Sequence, residues 1–183
     1  MQPIVLITRA MEFAAHKHTD QKRKGARAEP YVNHVVEVAW LLADATTGQD
    51  PALVAAGLLH DTIEDQGVTF EELKQEFGTD VAGLVAEVTD NKSLEKTERK
   101  RRQVETAASK SPRARLIEIA DKTSNLRSIL ASPPMDWSTQ RKREYFEWAA
   151  QVIAGCRGVN AQLEELFDRA YAEGMAMFKT NAA

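Results

Sequence analysis

His60-Asp61-Thr62-Ile63-Glu64-Asp65 puts one imidazole and three carboxylates into six positions, directly after the apolar run from Leu53 to Leu59. Read as helix, His60 and Glu64 stand four apart, as do Asp61 and Asp65, so the side chains crowd one or two adjacent edges. Three carboxylates at that spacing repel one another unless a cation neutralises them. A divalent metal is the economical explanation. The plain alternative is a solvated acidic helix end, which is mildly unfavourable because acids there oppose the helix dipole.

Helical punctuation surrounds this stretch. Asp50-Pro51 has the form of an N-cap followed by proline at the first helical position, opening a helix that runs through Leu58-Leu59-His60-Asp61 towards Gly67. Upstream, Ile7, Met11, Ala14, Ala15 and His18 follow one helical face, and His34, Val38, Leu41, Leu42 and Ala45 follow another after Tyr31. Downstream, Thr69-Phe70-Glu71-Glu72 is a capping box whose helix Gly78 closes. Val81, Leu84, Val85 and Val88 mark the next helix, and Ser111-Pro112 caps a long one that ends before Pro133-Pro134. Tyr145, Trp148, Ala149, Val152, Ile153 and Cys156 repeat at the helical period after Ser138. A last helix carries Leu163, Leu166, Phe167, Ala170 and Tyr171. The β-branched pairs Ile4-Val5 and Val35-Val36 sit beside or inside helical spacing. The expectation is an all-α, compact, single-domain fold over residues 1–183 with roughly eight to ten helices.

A net charge of −3 gives no general attraction to nucleic acid, so a polyanionic ligand would need cations gathered locally or supplied by a metal. The basic residues are indeed uneven. Lys22-Arg23-Lys24 stands between the first two helices, where a solvated loop is the bland reading. Glu95 and Glu98 precede Arg99 and Arg102 at spacings that support an exposed helix by ordinary ion pairs. Trp137 and Trp148 read as packing. The single cysteine, Cys156, lies on an apolar face as an inert buried thiol and excludes an intrachain disulfide. No apolar stretch approaches the roughly 18 residues of a membrane span, so the expectation is a cytoplasmic protein with neither membrane nor nucleic acid as partner.

Two more residues complete a metal set. His34 opens an apolar helical face within Tyr31-Val32-Asn33-His34, where a satisfied core histidine is the alternative. Asp121 stands among aliphatics in Leu116-Ile117-Glu118-Ile119-Ala120-Asp121-Lys122, where an ion pair is the alternative. Buried aspartates are rare unless paired or metal-bound. His34, His60, Asp61 and Asp121 together supply two imidazoles and two carboxylates from separate helices. That mixed set suits Mn²⁺, Zn²⁺, Fe²⁺ or Mg²⁺ better than Ca²⁺.

In this order the four residues resemble the HD-domain metal phosphohydrolases. More narrowly, His60-Asp61-Thr62-Ile63-Glu64-Asp65 is similar to the HDxxED signature of the hydrolase domain in RelA/SpoT proteins. Val88-Thr89-Asp90-Asn91-Lys92 and Ile119-Ala120-Asp121-Lys122-Thr123-Ser124-Asn125-Leu126-Arg127 agree with it. Tyr145-Phe146-Glu147-Trp148-Ala149-Ala150 resembles the stand-alone, metazoan-type small alarmone hydrolases, and the likeness runs from about Met11 to Gly174. Val35 follows the first metal histidine where the family commonly has proline, a departure of little consequence.

The resemblance implies one Mn²⁺ held by His34, His60, Asp61 and Asp121, with Glu64 and Asp65 activating a water. It implies removal of the 3′ pyrophosphate of guanosine tetraphosphate or pentaphosphate, without a synthetase domain. Arg23 and Lys24 then become base- and phosphate-side contacts. Asn125 would face the ribose, and Tyr31 and Lys122 would complete the substrate site. A monomer or small homo-oligomer is expected. The same metal set would serve a phosphatase acting on NADPH or another phosphorylated nucleotide. A catalytically silent nucleotide sensor is the reading from another class, and it leaves the Glu64-Asp65 pair without a purpose.

Overall fold

Asp50 accepts a hydrogen bond from the Leu53 amide at 3.0 Å and so opens the central helix, α3 (Pro51–Leu59). In the computed structural model, which describes residues 1–180, every residue from Leu53 to Leu59 is buried. A helix apolar all round must be enclosed, and α3 is enclosed by α1 (Pro3–Lys17), α2 (Val32–Ala45), α6 (Thr79–Val88) and α8 (Pro112–Ala131). Gly57 permits the close crossing of α2, since a Cβ there would lie 2.5 Å from Leu42 Cδ1.

The remaining elements are α4 (Thr62–Gln66), α5 (Phe70–Phe77), α7 (Lys96–Thr106), a short 3₁₀ turn (Ala107–Ser109), α9 (Thr139–Cys156) and α10 (Ala161–Thr180). The described residues thus hold ten α-helices and no strand beyond the isolated antiparallel bridge Lys22–Pro30. Side chains at Thr69 and Ser111 cap α5 and α8 as the sequence motifs predict, and Ser138 caps α9. Both β-branched pairs are helical, and Val35 is fully buried in the first turn of α2. Leu41, Leu53, Leu58, Ile117, Leu126 and Phe146 anchor one apolar cluster. Among the described residues no helix is long and apolar enough to cross a membrane.

Two expectations need correction. The helix expected to continue through His60-Asp61 towards Gly67 is interrupted there, with α3 ending at Leu59 and α4 starting at Thr62. Local hydrogen bonds make the break: His60 Nδ1 donates to the Gly57 carbonyl at 2.8 Å, and the Thr62 hydroxyl donates to the Leu59 carbonyl at 2.7 Å. These side chains satisfy carbonyls that the helix end leaves free. The buried face of α1 is Leu6, Ala10 and Ala14, with His18 buried just past its end. Ala14 and His18 keep to the expected stripe, while Leu6 and Ala10 take the buried places expected for Ile7 and Met11, and Met11 is exposed. The small Ala10 and Ala14 let α1 lie close on α3, and Met11 turns outward.

Candidate metal centre and its surroundings

The interruption at His60-Asp61 aims both side chains at the middle of α8 and the first turn of α2. His34 Nε2 lies 3.2 Å from Asp121 Oδ1 and 3.6 Å from Asp61 Oδ2. His60 Nε2 lies 3.0 Å from Asp61 Oδ2 and 3.7 Å from Asp121 Oδ1. Ligand atoms of His34, His60 and Asp121 all fall within 4.8 Å of one another.

The outer nitrogens fix the tautomers. His60 Nδ1 must donate, because its partner is the Gly57 carbonyl. The Ser124 hydroxyl donates to Glu37 at 2.7 Å, so His34 Nδ1, 2.9 Å from that hydroxyl, must donate to it. In its neutral form each ring turns an Nε2 lone pair inward, and both Nε2 atoms are buried without a hydrogen-bond partner among the described residues. Lone pairs facing carboxylate oxygens at these distances require a positive charge between them. Burial opposes a proton on His60, yet the Asp61 and Asp121 carboxylates overcome it and raise its pKa well above the ordinary value. Burial likewise works to raise Asp61 and Asp121, but the histidines, with Lys122 beside Asp121, hold both well below the usual carboxylate range. A divalent cation meets the same electrostatic demand with more charge, and neutral imidazoles oriented by outer hydrogen bonds are its usual ligands. The residues fit a metal.

Tyr31 donates its hydroxyl to Asp61 Oδ2 at 2.6 Å, and burial together with the Asp61 charge keeps that phenol protonated. Asn125 links two regions, donating to Asp121 Oδ1 at 2.6 Å and accepting from Arg23 at 3.0 Å. Lys122 is buried away from the basic loop, its ammonium 2.8 Å from Asp121 and 3.5 Å from Glu118.

Glu64 and Asp65 differ in surroundings. Burial, then the charges of Asp61 and Asp90, raise the Glu64 carboxyl to about 7. Its contacts are weak: the Asp90 amide at 3.3 Å and Arg99 at 3.5 Å. Asp65 is firmly paired, accepting from Gln21 at 2.7 Å and from Lys92. Arg99 corrects the surface-pair reading. Glu98 is taken by Arg101 and Arg102, while Arg99 turns inward to Glu64.

A cavity of about 250 Å³ adjoins the centre, lined by Arg23, Lys24, Tyr31, Asn125, Trp137 and Tyr145 among others. Gly25 holds the basic loop against α8, since a Cβ there would lie 2.3 Å from the Ser132 carbonyl oxygen. The Arg23 guanidinium lies 5.6 Å from the Tyr31 ring, and Arg141 lies 4.5 Å from the Trp137 ring. Trp137, which reads as packing in the sequence, faces this cavity. Gln21 and Trp137 belong to the site without any sequence signal that separates them from ordinary surface or core residues. Lys92 and Tyr145 each had one, their places in the Val88-Thr89-Asp90-Asn91-Lys92 and Tyr145-Phe146-Glu147-Trp148 strings.

An all-helical fold with a buried histidine–aspartate cation centre, a perturbed glutamate beside it and a basic aromatic cavity is that of a helical metal-centre hydrolase. The chain belongs to the HD domain family, whose model matches residues 10–148. It is 48% identical over 90% of its length to a guanosine-3′,5′-bis(diphosphate) 3′-pyrophosphohydrolase, MESH1, of Mus musculus, covering 92% of that protein. It is 49% identical over 85% of its length to MESH1 of Homo sapiens, covering 87% of it. A solved structure described as a metazoan ortholog of SpoT that hydrolyzes ppGpp superposes with a TM-score of 0.88 at 45% identity. That match covers 92% of this chain and 94% of the other.

Proposed function

We propose that the chain is a metal-dependent guanosine-3′,5′-bis(diphosphate) 3′-pyrophosphohydrolase, a single hydrolase domain that releases pyrophosphate from ppGpp or pppGpp and leaves GDP or GTP. One observation carries the reading. Two buried Nε2 lone pairs converge with Asp61 and Asp121 beside a basic, aromatic cavity. Relatives so similar in sequence that bear this activity support it.

His34, His60, Asp61 and Asp121 would hold the cation, Mn²⁺ in our reading. When bound, the ion supplies Lewis acidity and lowers the pKa of a coordinated water. Glu64, raised to about 7 and weakly held, takes a proton from the attacking water near neutral pH. Asp65, fixed by Gln21 and Lys92, positions the end of α4 rather than moving a proton. The water oxygen bonds to the 3′ phosphorus, and the bond from that phosphorus to the ribose oxygen breaks. Arg23 and Lys24 face the substrate's base and phosphates, and Asn125 couples Arg23 to Asp121. Arginine both stacks on a base and binds phosphate. Tyr31 keeps Asp61 in place from one side and Lys122 keeps Asp121 from the other. A free nucleotide as substrate gives such an enzyme a cytoplasmic role.

The test is incubation of manganese-loaded protein with ppGpp and, separately, with NADPH, with products resolved by chromatography. Pyrophosphate and GDP from ppGpp are expected, and His60→Ala or Asp61→Ala abolishes them. Orthophosphate from NADPH, with ppGpp untouched, would reassign the substrate. Inertness of the loaded protein towards both would leave a sensor.

A further inference from the structure

We propose that Gln103 is a catalytic residue, accepting one hydrogen of the attacking water so that its other hydrogen points at Glu64; the inference rests on the hydrolase reading above. Gln103 lies on α7, an element whose sequence reads as a solvated charged helix. Its Nε2 donates to Asp90 Oδ2. A carboxylate only accepts, so the amide orientation is fixed, with nitrogen towards Asp90 and oxygen away from it. That oxygen, Oε1, is buried and has no donor among the described residues. Such groups are rare and demand an explanation.

Gln103 lines a cavity of about 40 Å³ together with His60, Asp61, Glu64, Asp121 and Lys122. A water needs roughly 10–15 Å³, so this space admits one. No lining residue of the cavity is bonded to Oε1. Asp61, Asp121 and ionised Glu64 are acceptors, His60 gives its Nδ1 hydrogen to Gly57, and the Lys122 ammonium lies on Asp121 and Glu118. A water supplies two donors and can satisfy Oε1 and Glu64 together, leaving its lone pairs free for the centre and the phosphorus. The geometry is braced, because the Asp90 amide donates to Glu64 at 3.3 Å while the Asp90 carboxylate holds Gln103.

In the step itself, a lone pair of the water oxygen forms the bond to the 3′ phosphorus. One hydrogen passes to the Glu64 carboxylate, and the other stays on the transferred oxygen, now a P–OH of the departing pyrophosphate. The pair of the broken bond leaves with the ribose oxygen, which takes a proton from solvent.

Gln103→Met removes the acceptor at nearly constant volume, and Gln103→Glu keeps an oxygen there. Each is assayed as manganese-loaded full-length protein for pyrophosphate release from ppGpp, with manganese per chain and Tm measured in parallel. The expected result for Gln103→Met is a fall in kcat of roughly 10- to 100-fold, as for one lost buried hydrogen bond. KM stays within about twofold and manganese content equals wild type. Gln103→Glu should recover part of the loss. Unchanged kcat in Gln103→Met, lost manganese, or equal loss in both variants overturns the proposal. Inactivity of the wild type in the same series would instead overturn the hydrolase reading. Should Gln103→Met not fold, a high-resolution crystal structure of the manganese-loaded wild type decides. An ordered water bridging Gln103 Oε1 and Glu64 supports the assignment, and its absence refutes it.

Discussion

Ser124→Ala removes one hydroxyl from the interior of α8, at a position only 1% exposed. The hydroxyl accepts from His34 Nδ1 at 2.9 Å and donates to Glu37 at 2.7 Å, and Glu37 is held in turn by Arg127 at 3.1 Å. Without it the His34 Nδ1 hydrogen is buried with no acceptor, a loss of about 1–3 kcal/mol. For a chain of this size each kcal/mol moves Tm by about 2–4 °C, so the metal-free variant should melt roughly 2–12 °C lower. The second consequence is specific to a metal role. Nothing then selects the tautomer that turns the His34 Nε2 lone pair inward, and loss of such an outer hydrogen bond typically weakens metal binding about 10- to 100-fold. Manganese titration by calorimetry on Ser124→Ala and wild type, with thermal melts of the metal-free proteins, measures both effects. Lower Tm with unchanged manganese affinity would refute the assignment of His34 as a ligand, because the cation would then be indifferent to that ring.

Other outcomes follow from the same geometry. Glu64→Gln should keep manganese in atomic absorption while kcat falls by about 10²–10⁴, the range for a lost general base; loss of the metal would make Glu64 a ligand. Because the base must be ionised and its folded pKa is raised to about 7, activity should fall as pH drops through that region. A bound cation shifts this limb to lower pH, and Asp90→Asn, which removes a neighbouring negative charge, shifts it the same way in a kcat–pH profile. Arg23→Ala should raise KM for ppGpp about 10- to 100-fold through lost charged hydrogen bonds, with kcat far less affected in steady-state assays. Cys156, buried and pushed up to about 12 chiefly by that burial, should stay unreactive to a thiol reagent at pH 8 until the protein unfolds.

Much of the architecture is legible in the residues alone, because helix caps and buried stripes are local properties. Asp50, Thr69, Ser111 and Ser138 cap helices that the chain spells out beforehand, and the unbroken apolar run from Leu53 to Leu59, opened by the Asp50-Pro51 cap, marks an enclosed helix. Asp61 and His60 advertised a cation because acids and an imidazole were crowded next to that run. Where the central helix stops emerges only from the folded chain, since the bonds of His60 and Thr62 to backbone carbonyls compete with the helix in a way periodicity does not register. Tertiary packing alone turned Arg99 inward to Glu64 and Gln103 towards Asp90, and it set Trp137 beside the basic loop. Those partners lie on different elements, brought together by how helices cross. Sequence spacing encodes which face of a helix is apolar, and the polar face takes its meaning from the neighbour that packing supplies.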